Sequence, residues 1–102
     1  MADFRDMLDT DKLIHEPARL VIVALLFGLD AADFLFLERE TGLTRGNLSF
    51  HLSKLEEAGY VDIEKSFQGK RPNTLLRLTE AGRTAFTAYR QQLRDTLNTL
   101  PQ

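Results

Sequence analysis

The 102-residue sequence predicts one mainly helical α+β domain, on three observations. Apolar positions recur at helical spacing through most of the chain. Between residues 60 and 79 they switch to strand alternation, and a turn cluster, QGKRPN at 68–73, divides that stretch in two. A chain of this length supports one hydrophobic core and not a second. Apolar residues make up 43% and charged ones 27%, ordinary values for a folded globular chain, so wholesale disorder is excluded.

Taken in order, the first dozen residues read as a short amphipathic helix with Phe4, Met7 and Leu8 on one side. Pro17 stands where a first-turn proline belongs and Gly28 is a stop signal. The intervening ARLVIVALLF is apolar nearly all round, as expected of a helix at the centre of the domain. Asp33 is placed to cap FLFLERET, closed by Gly42. Thr44 caps the next helix, about 45–58, which ends at Gly59; Leu48, Leu52 and Leu55 give it one buried stripe. In YVDIEKSF and TLLRLT the alternation of Val61 with Ile63, and of Leu76 with Leu78, makes a two-stranded hairpin. Thr79 then caps a last helix of roughly twenty residues, about 30 Å long. Its apolar positions Phe86, Tyr89, Leu93, Leu97 and Leu100 are spaced 3, 4, 4 and 3 apart.

Several chemistries drop out early. The chain has no cysteine, which removes disulfides, thiolate metal sites and thiol catalysis together. His15 and His51 are the only imidazoles, too few for most transition-metal sites, so neither metal nor cofactor is expected. His51 falls beside the buried stripe and reads as a partly buried structural histidine; His15, before Pro17, reads as local structure. Leu20 to Leu29 is the longest apolar run, about half of what a membrane-spanning helix needs. Asp3, Asp6, Asp9 and Asp11 occupy the start, where a signal peptide would carry positive charge, so the cytoplasm is the expected location, without a membrane partner. No enzyme is expected either. Glu56 and Glu57 are adjacent on a helix and diverge by about 100°, no glycine loop cradles a phosphate, and no base stands at an evident spacing from Ser49 or Ser53.

A net charge of −2 argues at first against a nucleic-acid partner, but it is an average. Residues 1–40 carry nine acids and four bases, residues 41–83 seven bases and five acids, and residues 84–102 add +1. From Ser66 to Thr79 there is no acid, while Lys70, Arg71 and Arg77 are present. A polarised chain of this kind does not exclude DNA.

Two short helices joined by TGLT form a helix-turn-helix, and the basic-tipped hairpin follows at once. With LIHEPARL and the run GLTRGNLSFHLSKLEEAGYVDIEKSFQGKRPNTLLRLTEAGRTAF, the chain resembles winged-helix transcriptional regulators of the MarR/ArsR-like kind. It is most similar to the small group described simply as winged-helix DNA-binding domain proteins. The resemblance covers residues 11–90, and Gly42 to Gly82 is its specific part. It implies a winged helix-turn-helix fold: a recognition helix between Thr44 and Tyr60 for the major groove, and a hairpin wing at about 60–79 for backbone or minor groove. The expected organisation is a single domain, 1–102, with an arm helix at 1–10, a winged-helix core at 11–79 and a dimerisation helix at 80–102.

The residues themselves supply candidates. With the leucine stripe inward, Gly46, Phe50, Ser53 and Glu57 point outward, flanked by Asn47, Ser49 and Lys54. Arg45 and Asn47 suit guanine and adenine edges; Ser49, Ser53 and Lys54 suit phosphate positioning; Gly46 permits close approach, and Thr44 at the helix start is counted with them as a DNA-binding candidate. Phe50 can pack on thymine methyls. Lys70 and Arg71, between Gly69 and Pro72, suit a minor groove, with Arg77 facing outward in support. The last helix carries a stripe too long for one small core, so a homodimer through Tyr89, Leu93, Leu97 and Leu100, completed by Phe4, Met7 and Leu8, is expected. Its interface leaves room for a small-molecule effector, which no residue names. Exposed Phe36 and Phe50 support an alternative, a protein-interaction module, and outward-parity Leu75 is unexplained.

Overall fold

The computed structural model describes residues 4–99. Pro17 opens helix α1, Pro17–Leu29, and Glu16 caps it, its carboxylate accepting from the backbone N–H groups of Ala18 at 3.2 Å and Arg19 at 2.9 Å. Ile22, Val23 and Leu26 are fully buried, so α1 is the central helix that its composition requires. Gly28 does not stop it. The helix runs one residue further, and Asp30 takes a positive φ of 67° with ψ −46°, while its N–H bonds to Leu26 O at 2.9 Å. Arg83 makes that ending work: it donates to Phe27 O at 3.4 Å and to Asp30 Oδ1 at 2.5 Å, bringing a cation to the helix C-terminus.

Immediately after α1 the chain forms a strand that the sequence pattern did not reveal, β1, Ala31–Asp33. Helices α2, Phe34–Thr41, and α3, Arg45–Glu57, follow, then strands β2, Val61–Gln68, and β3, Arg71–Leu78, and the long helix α4, Glu80–Thr99. The predicted hairpin is therefore two strands of a three-stranded antiparallel sheet in the order β1-β3-β2. Asp33 both ends β1, opposite Leu75, and caps α2, accepting from Phe36 N–H at 2.7 Å. Gly42 closes α2 in the left-handed region at φ 71°.

The core joins Ile22, Val23 and Leu26 of α1 to Leu37, the α3 stripe Leu48, Leu52 and Leu55, the sheet residues Val61, Leu76 and Leu78, and Phe86 and Tyr89 of α4. Thr79 locks the base of the wing to α4. Its N–H donates to Tyr60 O at 3.0 Å, its hydroxyl donates to Gly59 O at 2.6 Å, and that hydroxyl accepts from Gly82 N–H at 3.0 Å. Where a short amphipathic helix is expected, Met7, half-buried, and Leu8, exposed, belong to a 3₁₀ helix, Phe4–Asp9, which packs on α4.

The ring of Tyr60 reaches back across the fold, donating to Asp11 Oδ2 at 2.6 Å. That hydrogen bond, with partial burial and the Asp11 charge, pushes its phenol from 10.0 up to about 12. A phenol raised on folding stabilises the protein below its unfolded pKa, and the contribution fades as pH rises from about 10 towards about 12. Tyr60→Phe is therefore expected to lower stability at neutral pH and to flatten the alkaline fall. Denaturant melts at pH 8 to 12 check this; parallel curves for both proteins would show the bond to be inert.

Candidate nucleic-acid interface

Thr44 starts α3 by accepting Asn47 N–H at 3.2 Å, and Leu48, Leu52 and Leu55 pin its inner side. The opposite side is consequently presented to solvent: Arg45, Gly46, Asn47, Ser49, Phe50, Ser53 and Lys54 are all exposed. A Cβ built on Gly46 meets nothing within 4 Å, so this glycine relieves no crowding inside the chain. What it leaves is a low point on the outer surface of the helix.

Between α3, the start of α2 and the sheet lies an open cleft of about 400 Å³. Leu52, Ile63 and Leu76 contribute to its lining from the core, and Arg45, Ser49, Ser53, Lys65, Asn73 and Thr74 supply cations, hydroxyls and an amide. The structure thus sets three of the candidate residues, Arg45, Ser49 and Ser53, across from the wing. Sequence reasoning missed Lys65, Asn73 and Thr74. Lys65 was within reach, because it shares strand parity with Val61 and Ile63 and so must lie on the same face of the sheet.

Arg45 is already engaged. Its guanidinium lies 5.5 Å from the centre of the Phe34 ring, and its Nε is 3.9 Å from Glu38 Oε2. A pair this open is worth little, of order 0–1 kcal/mol. Glu38 nevertheless competes with any anion that approaches. Glu38→Gln is expected to strengthen DNA binding about two- to fivefold at low salt, as read by fluorescence anisotropy; unchanged or weaker binding would place Arg45 away from the contact.

His51 is half-buried and tied to α1: Arg19 Nη1 lies 3.0 Å from its Nδ1, and Glu16 Oε2 lies 3.6 Å away. Arg19 also donates to Leu13 O at 2.6 Å, so this cluster fixes the middle of α3 to the start of the central helix. Burial pushes the Glu16 carboxyl up, but the N–H groups of Arg19 and Ala18, with His51 and Arg19 nearby, outweigh it and hold the group below its ordinary value. His15 bonds further away than expected, its Nδ1 2.7 Å from the Tyr89 hydroxyl on α4. Among the described residues no cluster of three or more His, Cys, Asp or Glu could hold a metal ion, and no helix is long and apolar enough to cross a membrane.

On the wing, Gln68 pairs with Arg71 across a two-residue turn in which Gly69 adopts φ 66°, the geometry that calls for glycine first. Lys70 and Arg71 are exposed at this tip. Arg77 stands apart from the cleft, on the opposite face of the sheet, in register with Ala31 and Asp62. Leu75, on that same outer face, is half-covered between Asp33 and Glu64.

Two expectations need correction. Phe36 is not an exposed patch residue: it packs against the core with Phe34, and the residue turned out of the FLFL run is Leu35, 60% exposed. Phe50, 55% exposed, stands without it, its ring against His51 and beneath Lys54 Nζ at 5.5 Å. Tyr89 is no interface residue, being 3% exposed inside its own chain. Further along α4, Leu93 is half-buried and Leu97 is 55% exposed. Leu100 and the side chain of Phe4 fall outside the described residues.

Comparison with known proteins meets this geometry at several points. The family described as winged helix DNA-binding domain matches residues 18–97. An uncharacterized protein of Methanocaldococcus jannaschii is 42% identical over 78 residues, which is 76% of this chain and 85% of that protein. Among solved structures, a transcriptional regulator homologue from Pyrococcus horikoshii OT3 superposes with a TM-score of 0.88 at 25% identity, covering 97% of this chain and 98% of the other. NadR in complex with 4-hydroxyphenylacetate shares the fold, with a TM-score of 0.72 at 24% identity over 93% of this chain and 65% of its own.

Proposed function

The chain belongs to the winged helix DNA-binding domain family, and from that premise we propose that it is a homodimeric, sequence-specific regulator of transcription. The observation that carries this reading is the cleft between α3 and the wing, where Arg45, Lys65 and a row of hydroxyls face one open channel. Laid in a major groove, α3 brings Arg45, Asn47 and Phe50 to base edges over the low point at Gly46, while Thr44, Ser49, Ser53 and Lys54 take phosphates. Lys70 and Arg71 reach the backbone or minor groove beside it, and Arg77 supports the wing from behind. The P. horikoshii protein, similar over nearly its full length, is itself described as a regulator homologue.

The dimer reading divides the single domain into an arm at 1–10, a core at 11–79 and an association helix at 80–102. A radius of gyration of 15.3 Å exceeds the roughly 13 Å of a compact chain of this size. The excess fits a half-uncovered α4 with Leu93 and Leu97 on its flank, which a second copy would cover. Two-fold symmetry then calls for a roughly palindromic operator with half-sites about one helical turn apart. If each subunit sets three or four cations on phosphates, log K against log salt falls with a slope of about −5 to −7. Titration of genomic fragments across salt concentrations tests this; a purified protein with no salt-sensitive binding to any fragment would sink the proposal.

A further inference from the structure

Phe67 is the most exposed large apolar side chain among the described residues, at 73%. Nothing in the fold requires it there, since β2 and β3 are already paired from Val61 with Leu78 out to Gln68 with Arg71. Its place in the register is informative. Along the cleft side of the sheet the rungs run Val61 with Leu78, Ile63 with Leu76, Lys65 with Thr74, and Phe67 with Pro72. The first two rungs belong to the core or pack against it, and the third lines the cleft. The fourth is an apolar pair carried about 13 Å beyond Ile63, at about 3.3 Å per residue.

What surrounds the pair decides its partner. Lys65 precedes it, Lys70 and Arg71 lie between its members in sequence, and no acid occurs from Ser66 to Thr79. An apolar step ringed by cations suits a polyanion that also offers flat, stackable surface. The tip beyond is a tight two-residue turn, Gly69-Lys70, so the arm is narrow and stiff rather than a loose loop. Proteins that insert apolar side chains between base steps from the minor groove unstack and bend the duplex there.

We propose that Phe67 and Pro72 form an apolar wedge that the wing presses into the minor groove, with Lys70 and Arg71 on the flanking phosphates. The wedge rests on the DNA-binding reading above and adds to it a point of deformation. Easily opened pyrimidine–purine steps are its expected target, so specificity would arise where no base edge is read.

The test uses the full chain and a duplex enriched from random-sequence DNA on the wild-type protein, with 2-aminopurine placed in turn at its TA and CA steps. Wild-type protein is expected to raise fluorescence at one step per half-site. Phe67→Ala should lose that rise and bind about tenfold more weakly with an unchanged salt slope. Phe67→Leu should keep most of both, and all three proteins should melt alike because the side chain is exposed. The wedge is overturned if Phe67→Ala keeps its affinity, or if it weakens while the fluorescence rise persists. A wild-type protein that binds no duplex in a salt-dependent way removes the parent reading and the wedge with it.

Discussion

An Arg45→Ala/Asn47→Ala double variant is expected to fold normally and to bind its operator little better than random DNA. Both side chains are exposed and outside the core, and the contacts of Arg45 with Phe34 and Glu38 are open ones, so little stability is lost with them. Each well-formed bidentate contact to a base edge discriminates by about 1–3 kcal/mol, and a symmetric dimer makes each contact twice. The loss in specific affinity is therefore about a thousandfold or more. Binding to random duplex, which depends on phosphate contacts, should change far less. The ratio of the two affinities is the measurement. Equal losses on both would make Arg45 a phosphate contact, and no loss on either would move the reading surface off the outer side of α3.

Gly82→Ala should be the most damaging of the glycine-to-alanine substitutions, since only there does an added Cβ meet another atom within 4 Å. Helix propensity alone favours alanine by about 1 kcal/mol. Against that, an added Cβ would collide with the carbonyl oxygen of Tyr60 and come within 2.7 Å of Leu78 Cδ1. Leu78 can adjust a rotamer; the Tyr60 carbonyl cannot, because it is held by Thr79 N–H at 3.0 Å. Overpacking of this kind costs about 3 kcal/mol at its upper end, so the clash wins by about 2 kcal/mol. The melting temperature should fall by roughly 10 °C. Gly28→Ala is the matched control: also helical, with nothing within 4 Å of the new Cβ, it should gain up to about 1 kcal/mol. Thermal melts that rank the pair the other way would mean that α4 does not rest on the base of the wing.

How much of this could be read beforehand follows from which forces are local. The caps at Asp33, Thr44 and Thr79 were legible because each needs only a side-chain oxygen and an N–H three residues on. The Leu48, Leu52 and Leu55 stripe was legible because helical spacing alone sets it. Strand β1 was not, since three residues offer no alternation and its pairing is decided by β3, more than forty positions later. The exit of α1 was misread for a related reason: glycine is the usual residue at a positive φ, but here Asp30 takes it, with Arg83 on its carboxylate. For the site, the outer side of α3 could be derived from periodicity, whereas the cleft could not. Its second wall depends on how the sheet docks, which brings Lys65, Asn73 and Thr74 opposite Ser49 and Ser53.

The strand order β1-β3-β2 also accounts for charges that DNA binding leaves unexplained. Because β3 is the middle strand, β2 runs for eight residues with one edge open to solvent. A long open edge invites strand addition by another chain and, from there, aggregation. Asp62 and Glu64 interrupt that edge within its first four positions. Two acids near an anionic partner cost some attraction, and in return they keep the wing from becoming the seed of a growing sheet. Neutralising Asp62 and Glu64 would then trade solubility for grip.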